Sequence, residues 1–376
     1  MKDNSVGAVT TQQITFKDEF FLQSGRVISP ITIAYETYGT LNKEKDNAIL
    51  ICHALTGSAH AAGYYANDED KIGWWDDMIG PSKAFDTNKY FIISSNILGS
   101  CYGTTGPSSI DNTTGKPYGI RFPVVTIKDM VKLQKKLLNK LGIDKLLSVA
   151  GGSLGGMQAL EWGVTYPDNV ESIIVISSAG RITPMAIAFN TIARFAIKKD
   201  PNWLDGDYYG KNIPRDGLAI GRMAGHITYL SDNAFHKKFG RRLGSQESIY
   251  DFNSVYEVEN YLHYNGYKFT ERFDANSYLY LLKAMDIFDL SYGFGSYEEA
   301  LKMLTAKTLL IDYTTDFLFP PYQTDEIVDI MTKCGNEPER VTIESDFGHD
   351  AFLLESKEQS EVISAFLQKI RSAFNY

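Results

Sequence analysis

Residues 146–167 read LLSVAGGSLGGMQALEWGVTYP, and the fold turns on this stretch. LLSVA (146–150) has the length and apolar character of a buried strand, and MQALEWGVTYP carries a helical pattern. Between them lies Gly151-Gly152-Ser153-Leu154-Gly155-Gly156, a G-x-S-x-G at a strand-to-helix turn, which is the context that motif requires. A serine on so tight a turn leaves no room for a Cβ two residues before or after it, so Gly151 and Gly155 let strand and helix approach. The Ser153 hydroxyl is thereby lifted clear of the backbone, and the Leu154 amide opens a helix beside it. The loop has no Lys followed by Ser or Thr and no G-x-G-x-x-G, which weakens a phosphate-binding reading. A glycine-rich packing turn is the plain alternative.

On both sides of this turn the same alternation continues. AILICHA (48–54), YFIISSN (90–96), SIIVISSA (172–179), KTLLIDYT (307–314) and RVTIES (340–345) read as further buried parallel strands, separated by helical segments such as 125–142, which stops at Gly142. Strand-helix alternation implies an α/β architecture, a mostly parallel sheet covered by helices. ITFKDEFFL and PITIAYETYG, near the N-terminus, alternate apolar and polar residues as antiparallel edge strands do. The alternation breaks near Ala179 and resumes near Lys307. The expected organisation is therefore a core of residues 1–180 and 301–376 with an inserted helical lid over 181–300, an ordinary second domain being the rival.

A nucleophilic serine needs a base, and the base needs a carboxylate to hold its tautomer. In an α/β-hydrolase fold these follow in the order Ser, Asp or Glu, His, on loops after late strands. Asp316 follows KTLLIDYT and His349 follows RVTIES, and of the six histidines only His349 lies beyond the last strand. Asp312, inside the strand, is the weaker rival. His53 and His60 precede the serine and suit loop hydrogen bonding, while His236 and His263 suit surface or packing roles. The catalytic set is Ser153, Asp316 and His349. The oxyanion donors are the amides of Leu154 and of Leu55, the latter just after the strand AILICHA, with Thr56 beside it among the substrate contacts.

Composition bounds the rest. The chain has 376 residues, 44% of them hydrophobic, enough for a large core. A net charge of -9 argues against a generic nucleic-acid binder. Cys52, Cys101 and Cys334 form neither a disulfide framework nor a metal pattern, so no metal is expected. No long apolar run suggests a membrane span, and a cytoplasmic location is expected. Lys237, Lys238, Arg241 and Arg242 could attract phosphates, although a solvated basic turn explains them as well.

With these residues placed, HALTGSAH (53–60), GGSLGGMQALEW (151–162), GRMAGHITYLS (221–231), TDFLFPP (315–321) and GHDAFL (348–353) closely resemble the homoserine O-acetyltransferase family. The resemblance implies that acetyl-CoA, a co-substrate and not a resident cofactor, acylates Ser153, and that the L-homoserine hydroxyl takes the acetyl group in methionine biosynthesis. It adds Arg222, Tyr229 and Asp350 as homoserine contacts and suggests a homodimer. A guanidinium suits an amino-acid carboxylate, and a carboxylate suits its ammonium. Arg222, His226 and Tyr229 are spaced so that one helix could aim all three at one cavity. Leu154 stands where Met is frequent in the family, with its amide unaffected. The alternatives are a succinyl donor, serine as acceptor, a plain esterase, or a catalytically silent binding protein. Cys52–Asp70, Asn96–Ser109 and Gly151–Trp162, expected around the acyl pocket, hold no Lys or Arg to pair with a succinyl carboxylate, which favours acetyl. Arg181, Arg194 or Arg215 would have to supply that cation otherwise.

Overall fold

The computed structural model describes residues 4–244, 250 and 256–374. Its main sheet has eight strands: β1 (Gln12–Phe16), β2 (Ile31–Tyr38), β3 (Ala48–Cys52), β4 (Phe91–Ser95), β5 (Ser148–Gly152), β6 (Ser172–Ile176), β7 (Lys307–Tyr313) and β8 (Glu339–Ile343). Across the sheet the order is β8-β7-β6-β5-β3-β4-β2-β1. Only β2 runs against its neighbours, pairing antiparallel with β4 and β1. The expected edge pair is present, but its first strand ends at Phe16; Phe20–Phe21 instead forms a separate small hairpin with Val27–Ile28.

Successive residues of the central strands feed opposite faces, as a pleated strand requires. Leu50, Val149, Ile173, Val175 and Leu310 join the core beneath α1 (Ile127–Leu141) and α2 (Leu154–Thr165). Ile49, Ile51, Ala150, Ile174, Ile176, Leu309 and Ile311 join the opposite core, which α11 (Ser356–Phe374) covers with Ile363, Phe366 and Leu367. Because both faces are covered, these strands carry the continuous apolar runs seen in the sequence. α1 starts on a capping box between Thr126 and Asp129 and ends at Gly142 in the left-handed conformation (φ 72°).

Between β6 and β7 the chain leaves the sheet through α3 (Pro184–Lys199), α4 (Arg215–Tyr229), α5 (Asp232–Lys238), α6 (Glu257–Thr270) and α7 (Ala275–Asp286). It returns at a neck where Leu290 N–H bonds the Gly180 carbonyl (2.8 Å) and the backbones of Arg181 and Asp289 form an isolated antiparallel β-bridge. The next helix, α8 (Tyr297–Lys302), packs on α9 (Pro321–Lys333) beside the sheet. Within the excursion α4 lies between α3 and α6. The last short helix, α10 (Ala351–Leu354), follows the loop after β8. No helix among the described residues is long and apolar enough to cross a membrane.

Candidate active site

Ser153 sits between β5 and α2 with φ 57° and ψ -125°, a conformation that non-glycine residues rarely hold. The surroundings over-determine it. Its N–H donates to the Ile176 carbonyl (2.9 Å), and its carbonyl accepts from Ser178 Oγ (2.7 Å). A Cβ on Gly151 would lie 2.5 Å from the Gly155 carbonyl carbon and 2.7 Å from Cys52 O, and one on Gly155 would collide with the same Cys52 carbonyl. The two glycines are thus required by close approach of β5, α2 and the end of β3.

Asp316 and His349 meet as expected, with His349 Nδ1 2.8 Å from Asp316 Oδ2. The other carboxylate oxygen accepts from the amides of Leu318 (3.0 Å) and Phe319 (2.9 Å), so the acid is aimed by its own loop. Both residues are buried, and the rings of Phe319 and Phe352 flank the imidazole. Asp312 faces elsewhere, paired with Arg340 Nε at 2.8 Å. Ser153 and His349 line one cavity of about 110 Å³, together with Leu55, Thr56, Arg222, Tyr229 and Asp350. Nucleophile, base, acid and acceptor contacts therefore converge from β5, β7, β8, the loop after β3 and α4.

Leu55 reaches the cavity from the loop after β3, and Leu154 opens α2, where a first-turn N–H has no intrahelical partner. These two segments are joined by a buried polar relay that the sequence reading missed. Gln158 Nε2 donates to the carbonyls of His53 and Leu154, both at 3.3 Å. Gln134 Nε2 holds Gln158 Oε1 (2.7 Å), and Trp162 Nε1 holds Gln134 Oε1 (2.8 Å). The sequence marks one member only: Gln158 is an uncharged polar residue in the middle of the helix, which the structure then shows to be buried along all but its last residue. His53 and His60 have the loop-bonding roles expected of them. His60 lies between Glu36 Oε2 (3.0 Å) and the Lys71 carbonyl (2.9 Å), with Glu36 holding its pKa above the ordinary value against the opposing effect of burial.

On the acceptor side, the Arg222 guanidinium lies between two ring faces, 5.1 Å from the Tyr229 centroid and 4.8 Å from that of Phe269. Its Nη1 makes long contacts of 3.4 Å with Thr56 Oγ1 and Tyr229 Oη. Among the described residues no carboxylate forms an ion pair with it, and it is the one cation in the cavity lining. Asp350 lies at the same cavity; burial raises its pKa, opposed by the charges of His349 and Arg222.

His226 departs from the expected arrangement. It lies outside the cavity lining and meets the Tyr261 hydroxyl of α6 through Nδ1 (3.1 Å), with its pKa pushed down to about 3 by burial and then by the charges of Arg222, Lys238 and Arg272. At about 100° per residue, His226 lies about 40° beyond Arg222 around α4, past the edge of the cavity arc. Asn96–Ser109 also lies outside this lining; Asn96 and Tyr102 line a neighbouring cavity that shares Thr56 and Arg222. Arg181 pairs with Glu326, Arg194 with Asp286, and Arg215 lies over the Tyr267 ring. In the basic turn Lys237 pairs with Asp346 and Arg242 with Glu257.

A family profile of the α/β hydrolase fold matches residues 47–356. The chain is 72% identical to a homoserine O-acetyltransferase of Deferribacter desulfuricans over 98% of each sequence. In structure it is similar to a homoserine O-acetyltransferase from Bacillus anthracis, with a TM-score of 0.91 and 35% identity over 96% of this chain and 98% of that one. It is also similar to the esterase E22, with a TM-score of 0.89 and 35% identity over 96% of this chain and all of the other. By these similarities the chain belongs to the homoserine O-acetyltransferase family of the α/β-hydrolase fold.

Proposed function

We propose that this enzyme carries an acetyl group from acetyl-CoA to the hydroxyl of L-homoserine by way of an acetyl ester on Ser153. The observation that carries the reading is the cavity itself, where the nucleophile shares the lining with Arg222, a cation with no ion-pair partner among the described residues, and with the carboxylate of Asp350. That pair suits the carboxylate and ammonium of an amino acid and has no use for a lipid ester.

His349 accepts the Ser153 proton as Oγ attacks the thioester carbon, and Asp316 steadies the imidazolium. The N–H groups of Leu55 and Leu154 stabilise the oxyanion. Collapse breaks the carbon–sulfur bond, and His349 returns the proton to the departing CoA sulfur. Arg222, Tyr229, Thr56 and Asp350 then hold homoserine; His349 takes its hydroxyl proton, the acetyl group moves, and Ser153 regains a proton. Acetyl is favoured over succinyl because the cavity's one cation among the described residues must be free to receive the acceptor in the second half-reaction. A distal carboxylate would be desolvated without a partner. No permanent cofactor or metal is required by these steps.

The helices of 181–300 act as the lid that supplies Arg222 and Tyr229. Met185, Ile192 and Phe195 of α3, with Ile220 and Ile227 of α4, leave an exposed apolar face on this lid that would suit a homodimer. A cytoplasmic location fits a biosynthetic acyltransferase. The decisive assay is CoA release from acetyl-CoA with and without L-homoserine. The proposal requires sustained release only with homoserine; equal release without it would support the hydrolytic reading that the likeness to esterase E22 favours.

A further inference from the structure

We propose that His53 is a positioning residue of the oxyanion hole, its ring fixing the plane of the Ala54–Leu55 peptide and so the aim of the Leu55 N–H. This rests on the reading of Leu55 as an oxyanion donor.

His53 is fully buried at the end of β3, and both ring nitrogens are engaged. Nε2 lies 3.2 Å from the backbone N–H of Ile97, which can only donate, so Nε2 is the unprotonated nitrogen. Nδ1 therefore carries the proton and donates to the Ala54 carbonyl at 2.7 Å. That carbonyl also accepts from the Gly57 amide at 3.0 Å. Ala54 and Leu55 share one planar trans peptide, in which the C=O and the following N–H point in opposite directions. Fixing the Ala54 oxygen from one side thus fixes the Leu55 N–H on the other.

The remaining contacts leave the ring little freedom. A Cβ on Gly57 would lie 2.9 Å from His53 Cβ and 3.3 Å from the ring, so the glycine makes room for the imidazole. The His53 carbonyl is held by Gln158, which also holds the Leu154 carbonyl, so the two proposed oxyanion donors share one support. Burial lowers the His53 pKa to about 4, which keeps the ring neutral at neutral pH, while the Ile97 N–H and the Ala54 carbonyl select its tautomer.

Two substitutions separate aiming the peptide from merely holding the loop. In His53→Asn the side-chain amide can reach the position of Nδ1 and still donate to Ala54; in His53→Gln it reaches toward Nε2 and can satisfy Ile97 only. We expect His53→Gln to slow acylation of Ser153 by about tenfold to a hundredfold, short of full loss of a donor, with the KM for acetyl-CoA little changed. Inhibition by a boronate that forms a tetrahedral adduct with Ser153 should weaken by the same factor, and His53→Asn should regain most of both. Rescue by Gln and not by Asn, or slower acylation with unaltered boronate affinity, would overturn the proposal. If the variants do not fold, ¹⁵N NMR of the wild type decides: a neutral Nδ1–H tautomer at pH 7 is expected, and an Nε2–H tautomer or an imidazolium contradicts it. Failure of the underlying reading is distinct, since the wild type would then form no acetyl ester on Ser153 at all.

Discussion

The two halves of the cavity are built to different standards. On the sheet side, the Ser153 backbone, the His349–Asp316 pair and the loop after β3 are each held by hydrogen bonds of 2.7–3.3 Å, and glycines sit where no Cβ fits. On the helix side, Arg222 is held by two ring faces and two contacts of 3.4 Å, with no carboxylate partner among the described residues. The contrast teaches a division of labour. Groups that stabilise a transient charge gain from being fixed in advance, whereas a group that grips a ligand ion must keep its charge uncommitted until the ligand arrives.

The largest loss of activity is expected at the nucleophile. Ser153→Ala should lower acetyl transfer by about 10⁴-fold or more while the thermal midpoint changes little, since the side chain does chemistry and contributes little packing. Steady-state kinetics and calorimetry on the same preparation check both parts. Next in size is Asp316→Asn, which keeps the shape but loses the carboxylate that orients His349. We expect a loss of about 10³- to 10⁴-fold in kcat with KM for both substrates little altered. A loss confined to KM would place Asp316 in binding instead.

On the helix side the effects should be smaller and fall on one half-reaction. Arg222→Lys keeps the charge but loses the planar guanidinium that lies between two rings, so homoserine use should fall about tenfold or more. Acylation by acetyl-CoA, followed by stopped flow, should be nearly unaffected; equal damage to both half-reactions would move Arg222 to the donor site or to folding. Smallest of all, Phe269→Leu removes one ring face from the guanidinium. A cation–π contact of about 0.5–2 kcal/mol predicts a homoserine KM raised by about two- to thirtyfold, with acylation intact. An unchanged KM would show that Tyr229 alone holds the arginine.

The same division explains what was legible in the sequence. The sheet side announces itself because its chemistry demands rare local patterns: a serine between glycines at a strand-helix turn, and an acid and a histidine after late strands. The strands were legible too, since burial on both faces makes them continuous apolar runs. The orientation of His226 was not. Helical spacing tells which residues of α4 are neighbours, but not how wide an arc the cavity views, and His226 falls on the side packed against α6. The Gln134–Gln158–Trp162 relay was hidden for another reason. Its members are 24 and 28 residues apart across two helices, and only tertiary packing brings them together. Phe20–Phe21 misled the edge-strand reading because alternation alone cannot show where one strand stops and a hairpin starts.

The central claim, a covalent acetyl shuttle on Ser153, is tested most directly by mass spectrometry of the intact enzyme mixed with acetyl-CoA alone, followed by peptide mapping. A single acetyl adduct on the Ser153 peptide is expected, and it disappears on adding L-homoserine as O-acetylhomoserine forms. An adduct on another residue, or product formation with Ser153 never acetylated and both substrates required together, would contradict it.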